Sequence, residues 1–492
     1  MSIKMMIRIM IGFGIFITAV ANANGIPVFP GAEGYGSDTR AMYADDKNPQ
    51  ICIVTDLTDD NESLGDATRN GTPVKTGSFR ECYNWNINNK LIVFEVSGTI
   101  SASRARELRY PADNFTIAGQ TAPSPGITLK GYKLTFNGVN DGLVQHLRVR
   151  VGDDTAVPGG TDCSYRDNIN VGATAPSTNV VIDHCSMSWA IDENAGLGYK
   201  GSRNITYSNS IMAEGLYNSC HSKGAHSMGM LISEGGGPYS IIKNLFMSNR
   251  ARNPEIYDSE LELINNLIVN PGEMNILLIC RPEWLQKITL EGNVVKSGKN
   301  TGHHAAQQIP EFYDENAKAG SEYYLRNNWA NDAHGRWSSC KPGNNDANDW
   351  NCTYKNPASL NPEKYKITSN PSIWSGNVEV LNSADVEPYI KKNVGARPAD
   401  RDSVDLRLIA EIDNGEASLK NSVAEAGGYP VLAKNSIQLE IPKNPHADDD
   451  ADGYRNLEEW LHFLAVLVEK ADGAKSQINL SSPKNLRIKD SI

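Results

Sequence analysis

Six short, β-branched runs recur along the middle of the chain, and a chain made of such runs has few ways to bury them. They read LVQHLRVRV (143–151), NVVIDHCSMSW (179–189), NITYSNSIMA (204–213), YSIIKNLFMS (239–248), LELINNLIVN (261–270) and KITLEGNVVK (287–296). Each alternates apolar and polar residues and is too short for a helical repeat, which needs longer stretches of 3.6-residue periodicity. His146, His184, Asn209, Asn244, Asn266 and Asn293 take an equivalent place in them, at steps of 38, 25, 35, 22 and 27 residues. Steps of roughly 20–50 residues mark a repeat architecture. Stacked coils bury a continuous ladder of Ile, Val, Leu and Met, and the polar residue at each turn can bond the backbone or the Asn above it. The pattern therefore predicts an all-β, single-stranded parallel β-helix with long loops. An antiparallel sandwich is the competing architecture, but the dipeptides of tight hairpins are largely missing. Residues 301–372 are rich in Asn, Gly, His and Trp and read as long loops with one more strand-like run, YYLRNNW (323–329). Residues 382–409 return to helical spacing and are expected to cover the solenoid's open end.

Residues 1–23 have a different character. Lys4 and Arg8 precede an apolar stretch (9–20), and Ala21-Asn22-Ala23 closes it with the small-x-small pattern of a cleaved export leader. The expected product begins near Asn24, is secreted or periplasmic, and carries no later segment apolar enough to span a membrane. Its 45 cations face 58 anions. No basic block occurs to neutralise a phosphate backbone, so the composition excludes nucleic-acid binding. All eight cysteines lie in the exported part, where disulfides are permitted. Cys340 and Cys352 flank a polar loop and are the expected pair, whereas a buried thiol suits Cys185 at least as well. Without a CxxC, a thiol-ligated zinc or redox site has no support.

Five ordered blocks, FPGAEGYG (29–36), IVFEVSGTI (92–100), TIAGQTAPSPGITL (116–129), NVVIDHCSMSW (179–189) and RARNPE (250–255), resemble the pectate lyase superfamily, polysaccharide lyase family 1 type. The resemblance runs from Phe29 to about Val295 and resumes at 393–415 and 427–430. It implies a right-handed parallel β-helix that cleaves polygalacturonate by β-elimination with Ca²⁺.

That chemistry sets requirements. Elimination removes the C5 proton alpha to a carboxylate and expels the C4 glycosidic oxygen. A divalent cation on the carboxylate stabilises the enediolate-like transition state. It also lets an acidic protein hold an acidic polysaccharide, because the ion inverts the local sign. Calcium takes six to eight hard oxygen ligands. Asp153 and Asp154 follow run 143–151, Asp167 leads DNINV, and Asp192 and Glu193 follow run 179–189. They leave adjacent coils at matching strand ends and can converge. By resemblance Asp167 and Asp192 match family carboxylates, but a further one falls at Gly196, leaving Glu193 or Asp153 and Asp154 as substitutes. Arg252 aligns with the arginine that the family uses as base. Arginine normally stays protonated, so this role calls for cation crowding around it. Arg250, two residues earlier, is expected to crowd Arg252 or grip substrate. Tyr257 replaces the family's second arginine. Lys223 is expected to replace a substrate-binding lysine whose aligned position holds Tyr217. His221 and His226 are expected to contact substrate or cap turns. His184 reads as a core histidine, and Trp189 as either packing or a sugar-facing ring.

A second calcium site is expected at DDDADGYRNLEE (448–459). Asp448, Asp450 and Asp452 stand at positions 1, 3 and 5 of an EF-hand-like loop, Gly453 at 6, Tyr454 at 7, Asn456 at 9 and Glu459 at 12. A helix follows and no comparable helix precedes, so this small C-terminal helical segment reads as a lone structural loop. The expected organisation is leader 1–23, β-helix 24–380, packing extension 381–443, calcium loop and helix 444–470, and tail 471–492, as a monomer. Two other functions fit a β-helix: a polygalacturonase-like glycoside hydrolase, faintly suggested by GDD (152–154) and GAHSMG (224–229), and a non-catalytic glycan binder. Hydrolysis needs two carboxylates flanking the bond. A mere binder needs no arginine beside an acid cluster.

Overall fold

Parallel pairing between strands one coil apart organises the chain. In a computed structural model the described residues are 25–470, except 105, 155–162, 234, 308, 333–334 and 336–345. The expected leader, the tail beyond 470 and Cys340 lie outside them. Among the described residues the strands form three sheets of 13, nine and nine strands, all parallel apart from the Gly65–Arg69/Thr72–Gly77 pair at one edge. The chain visits the long sheet, a second and a third in turn, once per coil. Inside the solenoid like stacks on like: Ile117 pairs with Val144, Val144 with Ile182, Ile182 with Tyr207 and Tyr207 with Ile241. All five are fully buried, and each aliphatic member contributes roughly 1.5–3 kcal/mol by leaving water.

The turn after each long-sheet strand corrects the sequence alignment by one residue. Register pairs Ser208 with Ile242, so Asn209 stacks on Lys243 and Ser210 on Asn244. One column holds His146, His184, Asn209, Lys243 and Asn265, all with positive φ, the left-handed bend that Asn and His adopt more readily than most side chains. The next column holds Asn244, Asn266, Asn293 and Asn328. Each of the first three donates Nδ2 to the next amide oxygen, at 3.1, 3.0 and 2.9 Å. Two polar columns, not one, turn the chain.

The region 301–372 is also more regular than its composition suggests. Strands Glu311–Asp314, Glu322–Arg326, Trp329–Asn331 and Tyr354–Asn356 extend all three sheets. The helices Ser383–Asn393 and Ser403–Asn414 do not cover an open end. Val386, Ile390, Leu408 and Ile412 pack on Ile211, Leu245, Leu267 and Val294, which face outward from the second sheet and would otherwise be wet. Helix Asn456–Glu469 covers Ile51, Ile53, Leu91 and Val93 on the long sheet in the same way. Disulfides join Cys52 to Cys82 and Cys163 to Cys220, and Cys185 and Cys280 are buried free thiols. Among the described residues no helix is long and apolar enough to cross a membrane.

Candidate active site

The third sheet places the site. Its strands Ile169–Val171, Glu193–Leu197, Met228–Ile232 and Glu255–Ile256 lie side by side, and their N-terminal ends carry Asp167, Asp192 with Glu193, His226 and Arg252. Ile169 pairs with Ala195, which sets Asp167 beside Glu193 one strand spacing away, about 4.8 Å. The Glu193 N–H donates to Asp167 Oδ1 at 3.1 Å. Oxygens of Asp167, Asp192 and Glu193 all lie within 4.8 Å of one another, and Asp167 and Glu193 are buried.

Each of the three acids has a side-chain partner from this chain. Lys133 Nζ lies 2.7 Å from Asp167, His226 Nε2 lies 2.7 Å from Asp192, and Arg252 bonds Glu193. Burial pushes Asp167 up, and Asp192 adds to it against the pull of Lys133. Burial and then the charges of Asp167 and Asp192 push Glu193 well up, opposed by Arg252. Burial also works on Asp192, but the hydrogen bond and charge of His226, with Glu193 and His221, hold it below its ordinary value. The Lys223 N–H donates to His221 Nδ1 at 3.0 Å, so Nδ1 is the accepting nitrogen and the ring's proton sits on Nε2, which faces Asp192 at 3.8 Å. That nitrogen is a donor and no metal ligand. Asp167, Asp192 and Glu193 together offer a cation carboxylate oxygens, a hard donor set suited to calcium.

One more side chain adjoins it. Asn170, 7% exposed, donates Nδ2 to Asp167 at 2.7 Å, while its Oδ1 is buried without a partner among the described residues. The amide fills the notch over Gly196, where an added Cβ would collide with Oδ1 and come 2.9 Å from Cγ.

Other expected members go elsewhere. Asp153 accepts from Val423 N–H at 3.3 Å. Asp154 lies 3.6 Å from Lys130, and its carbonyl accepts from Arg106 and Arg166. Neither joins the acid group, because Lys130 and Arg106 from neighbouring coils, Arg166, and the Val423 N–H of the C-terminal extension take them up. Arg252 is not crowded by cations either. It lies between Glu193 and Glu255, 2.8 Å from the latter, and although burial disfavours its charge, Glu193, Glu255 and Asp192 raise its pKa. Arg250 turns away to the Ala225 carbonyl and Glu273, at 2.9 and 2.8 Å, because the positive φ of Arg252 breaks the extended backbone. Lys223 has an exposed side chain at the rim. Trp189 is fully buried with Nε1 bonded to Glu214 at 3.0 Å, so it packs and faces no sugar. His184 is likewise inside, bonded to Asp183 at 2.7 Å. Lys133, Asn170 and Glu255 were not read from the sequence. Inter-coil register brings Lys133 to Asp167, whereas Asn170 and Glu255 lie three residues from Asp167 and Arg252 inside DNINV and RARNPE, a local spacing that could have pointed to them.

Asp448, Asp450 and Asp452 group within 4.8 Å, and Gly453 takes a positive φ. Burial, then Asp450, Asp452, Asp448 and Asp449, raise Glu459, so it faces the same loop. Asn456 departs from its expected place: its Nδ2 donates to the Asn444 carbonyl and to Asp449, at 3.0 and 3.1 Å, buttressing the loop from behind.

No family model matches the chain. It is 27% identical over 480 residues to a Neosartorya fischeri protein and 28% identical over 480 residues to an Aspergillus fumigatus protein, both named probable pectate lyase C. Each alignment covers 94% of this chain and 98% of the relative. A protein of the same name from Emericella nidulans is 32% identical over 244 residues, 50% of this chain and 48% of its own. Among solved structures, the cedar pollen allergen jun a 1 aligns with a TM-score of 0.47 at 16% identity, covering 73% of this chain and 91% of its own.

Proposed function

We infer that this chain, a member of the pectate lyase superfamily, cleaves polygalacturonate or a related uronate polysaccharide by β-elimination and leaves 4,5-unsaturated ends. The observation that carries this reading is Arg252 set against the Asp167–Asp192–Glu193 group, on a fold whose sequence relatives along 94% of the chain are named as pectate lyases. Asp167, Asp192 and Glu193 would hold Ca²⁺, which when bound withdraws charge from the substrate carboxylate and so acidifies C5–H. Arg252 is the base: its guanidinium first gives up a proton to solvent, the neutral guanidine nitrogen so formed takes the C5 proton, and the departing C4 oxygen is protonated from solvent. Glu193 and Glu255 fix its plane, and their charge favours its protonated form, so its release of a proton is coupled to neutralisation of the acid group. Lys133 and His226 orient Asp167 and Asp192, and exposed Lys223 is placed to meet a substrate carboxylate. Three carboxylates gathered into one group favour this over hydrolysis, which sets two of them about 5 Å or more apart across the bond.

The same reading makes Asp448, Asp450, Asp452 and Glu459 the ligands of a structural calcium, and the protein an exported monomer. The Cys52–Cys82 and Cys163–Cys220 disulfides support an oxidising compartment. The test is polygalacturonate turnover followed both by ultraviolet absorbance of the unsaturated product and by reducing ends, with and without chelator. Absorbance lost on chelation is the expected result. Reducing ends without absorbance would mean a hydrolase, and neither signal would mean a binder.

A further inference from the structure

The orphaned oxygen of Asn170 serves no hydrogen bond within the described fold. Its amide nitrogen satisfies Asp167, yet Oδ1, buried in the same wall, bonds nothing among the described residues. A buried carbonyl oxygen left without a donor is destabilising, and a partner from outside the chain would relieve it. The site around it is anionic and all oxygen. Asp167 already spends Oδ2 on Lys133 and Asn170 and Oδ1 on the Glu193 N–H, and Asp192 spends Oδ1 on His226. Three carboxylates so engaged fall short of six to eight oxygens. Gly196 leaves the space for Asn170, since any side chain there would displace the amide. The strand register holds Asn170 against Gly196 one coil over.

We propose that Asn170 Oδ1 is a neutral ligand of a divalent cation held by Asp167, Asp192 and Glu193, and that Gly196 is required to admit it. The proposal rests on reading that acid group as a calcium site. An amide in place of a fourth carboxylate also limits the charge repulsion the empty site must bear, at the expense of affinity, since ligand charge count tunes calcium binding.

Calcium affinity measured by titration calorimetry on the full chain, in an Asp450→Asn/Asp452→Asn background that silences the C-terminal loop, tests this. Asn170→Ala is expected to weaken Ca²⁺ binding roughly 10-fold or more. Asn170→Asp, close to isosteric, is expected to tighten it while lowering the melting temperature without calcium. Asn170→Ala/Gly196→Asp is expected to regain affinity, because the new carboxylate enters the vacated space. Melting temperatures of the same variants report whether each folds. If Asn170 only donates to Asp167, Asn170→Asp would repel that carboxylate and weaken binding, which overturns the proposal. Unchanged affinity in Asn170→Ala overturns it too. If the background protein itself binds no calcium while Asp167→Asn and Asp192→Asn change nothing, the calcium reading of the site falls with it. Chelator-sensitive elimination combined with an indifferent Asn170 overturns the ligand assignment alone.

Discussion

Replacing His184 with Gln should remove a pH-dependent part of the fold's stability. His184 sits in the left-handed turn column, 2.7 Å from Asp183 and 3.9 Å from Glu469 at the end of the C-terminal helix, with its ring stacked on His146. Burial disfavours its charge, but Asp183 and Glu469 outweigh burial and raise its pKa from 6.5 to about 9. A raised folded value means that protonation favours the folded state. The stabilisation is therefore complete below the unfolded value near 6.5 and is lost as pH rises through about 9. A shift of that size corresponds to roughly 3 kcal/mol, counted once for the His184–Asp183–Glu469 group. Urea unfolding of wild type and His184→Gln, compared at about pH 6 and about pH 9.5, isolates it from other titrations. The stability difference between the two proteins should shrink by roughly 3 kcal/mol over that range. A difference that stays constant with pH would refute the reasoning and leave His184 as a neutral packing residue.

Asn266→Ala should cost roughly 1–3 kcal/mol in urea unfolding, because it strands the buried backbone N–H of Asn244 and removes the Nδ2 bonds to Asn293 and to the Ile241 carbonyl, while Asn244 Nδ2 keeps the Tyr207 carbonyl and Asn293 Oδ1 keeps the residue-266 N–H. Cys52→Ser/Cys82→Ser opens a link across a sequence separation of 30, and the chain-entropy relation puts that loss at roughly 3–4 kcal/mol, read as a lower urea midpoint. If the C-terminal loop holds calcium, ion at 100 times its dissociation constant should stabilise the fold by about 2.7 kcal/mol. Asp450→Asn/Asp452→Asn should abolish that part of the calcium-induced rise in melting temperature.

The solenoid was legible because its signal is local: apolar alternation within each run reports the strand, and the recurrence reports the coil. The exact stacking was not. His146 and Asn244 both look like polar residues ending an apolar run, yet inter-coil register puts them in adjacent columns. The same limit shaped the site. Asp167 was readable as an acid leading an apolar run, and Asp192 and Glu193 as acids following one. Asp153 and Asp154 looked equivalent, but Lys130, Arg106, Arg166 and the Val423 N–H, three of them from other coils or the C-terminal extension, claim them. The acidic surroundings of Arg252 were hidden for a like reason, since Glu193 lies 59 residues away in sequence. Helices 383–393 and 403–414 were recognisable as helices, but not the outward apolar face of the second sheet that they cover.

Elimination and hydrolysis at this site differ in the fate of solvent oxygen. Polygalacturonate digested by the enzyme in heavy-oxygen water, with the new ends read by mass spectrometry, should give unsaturated products that carry no solvent label. Saturated products with one labelled oxygen at each new reducing end would show that water attacks the bond, and would contradict the assignment of Arg252 as the base.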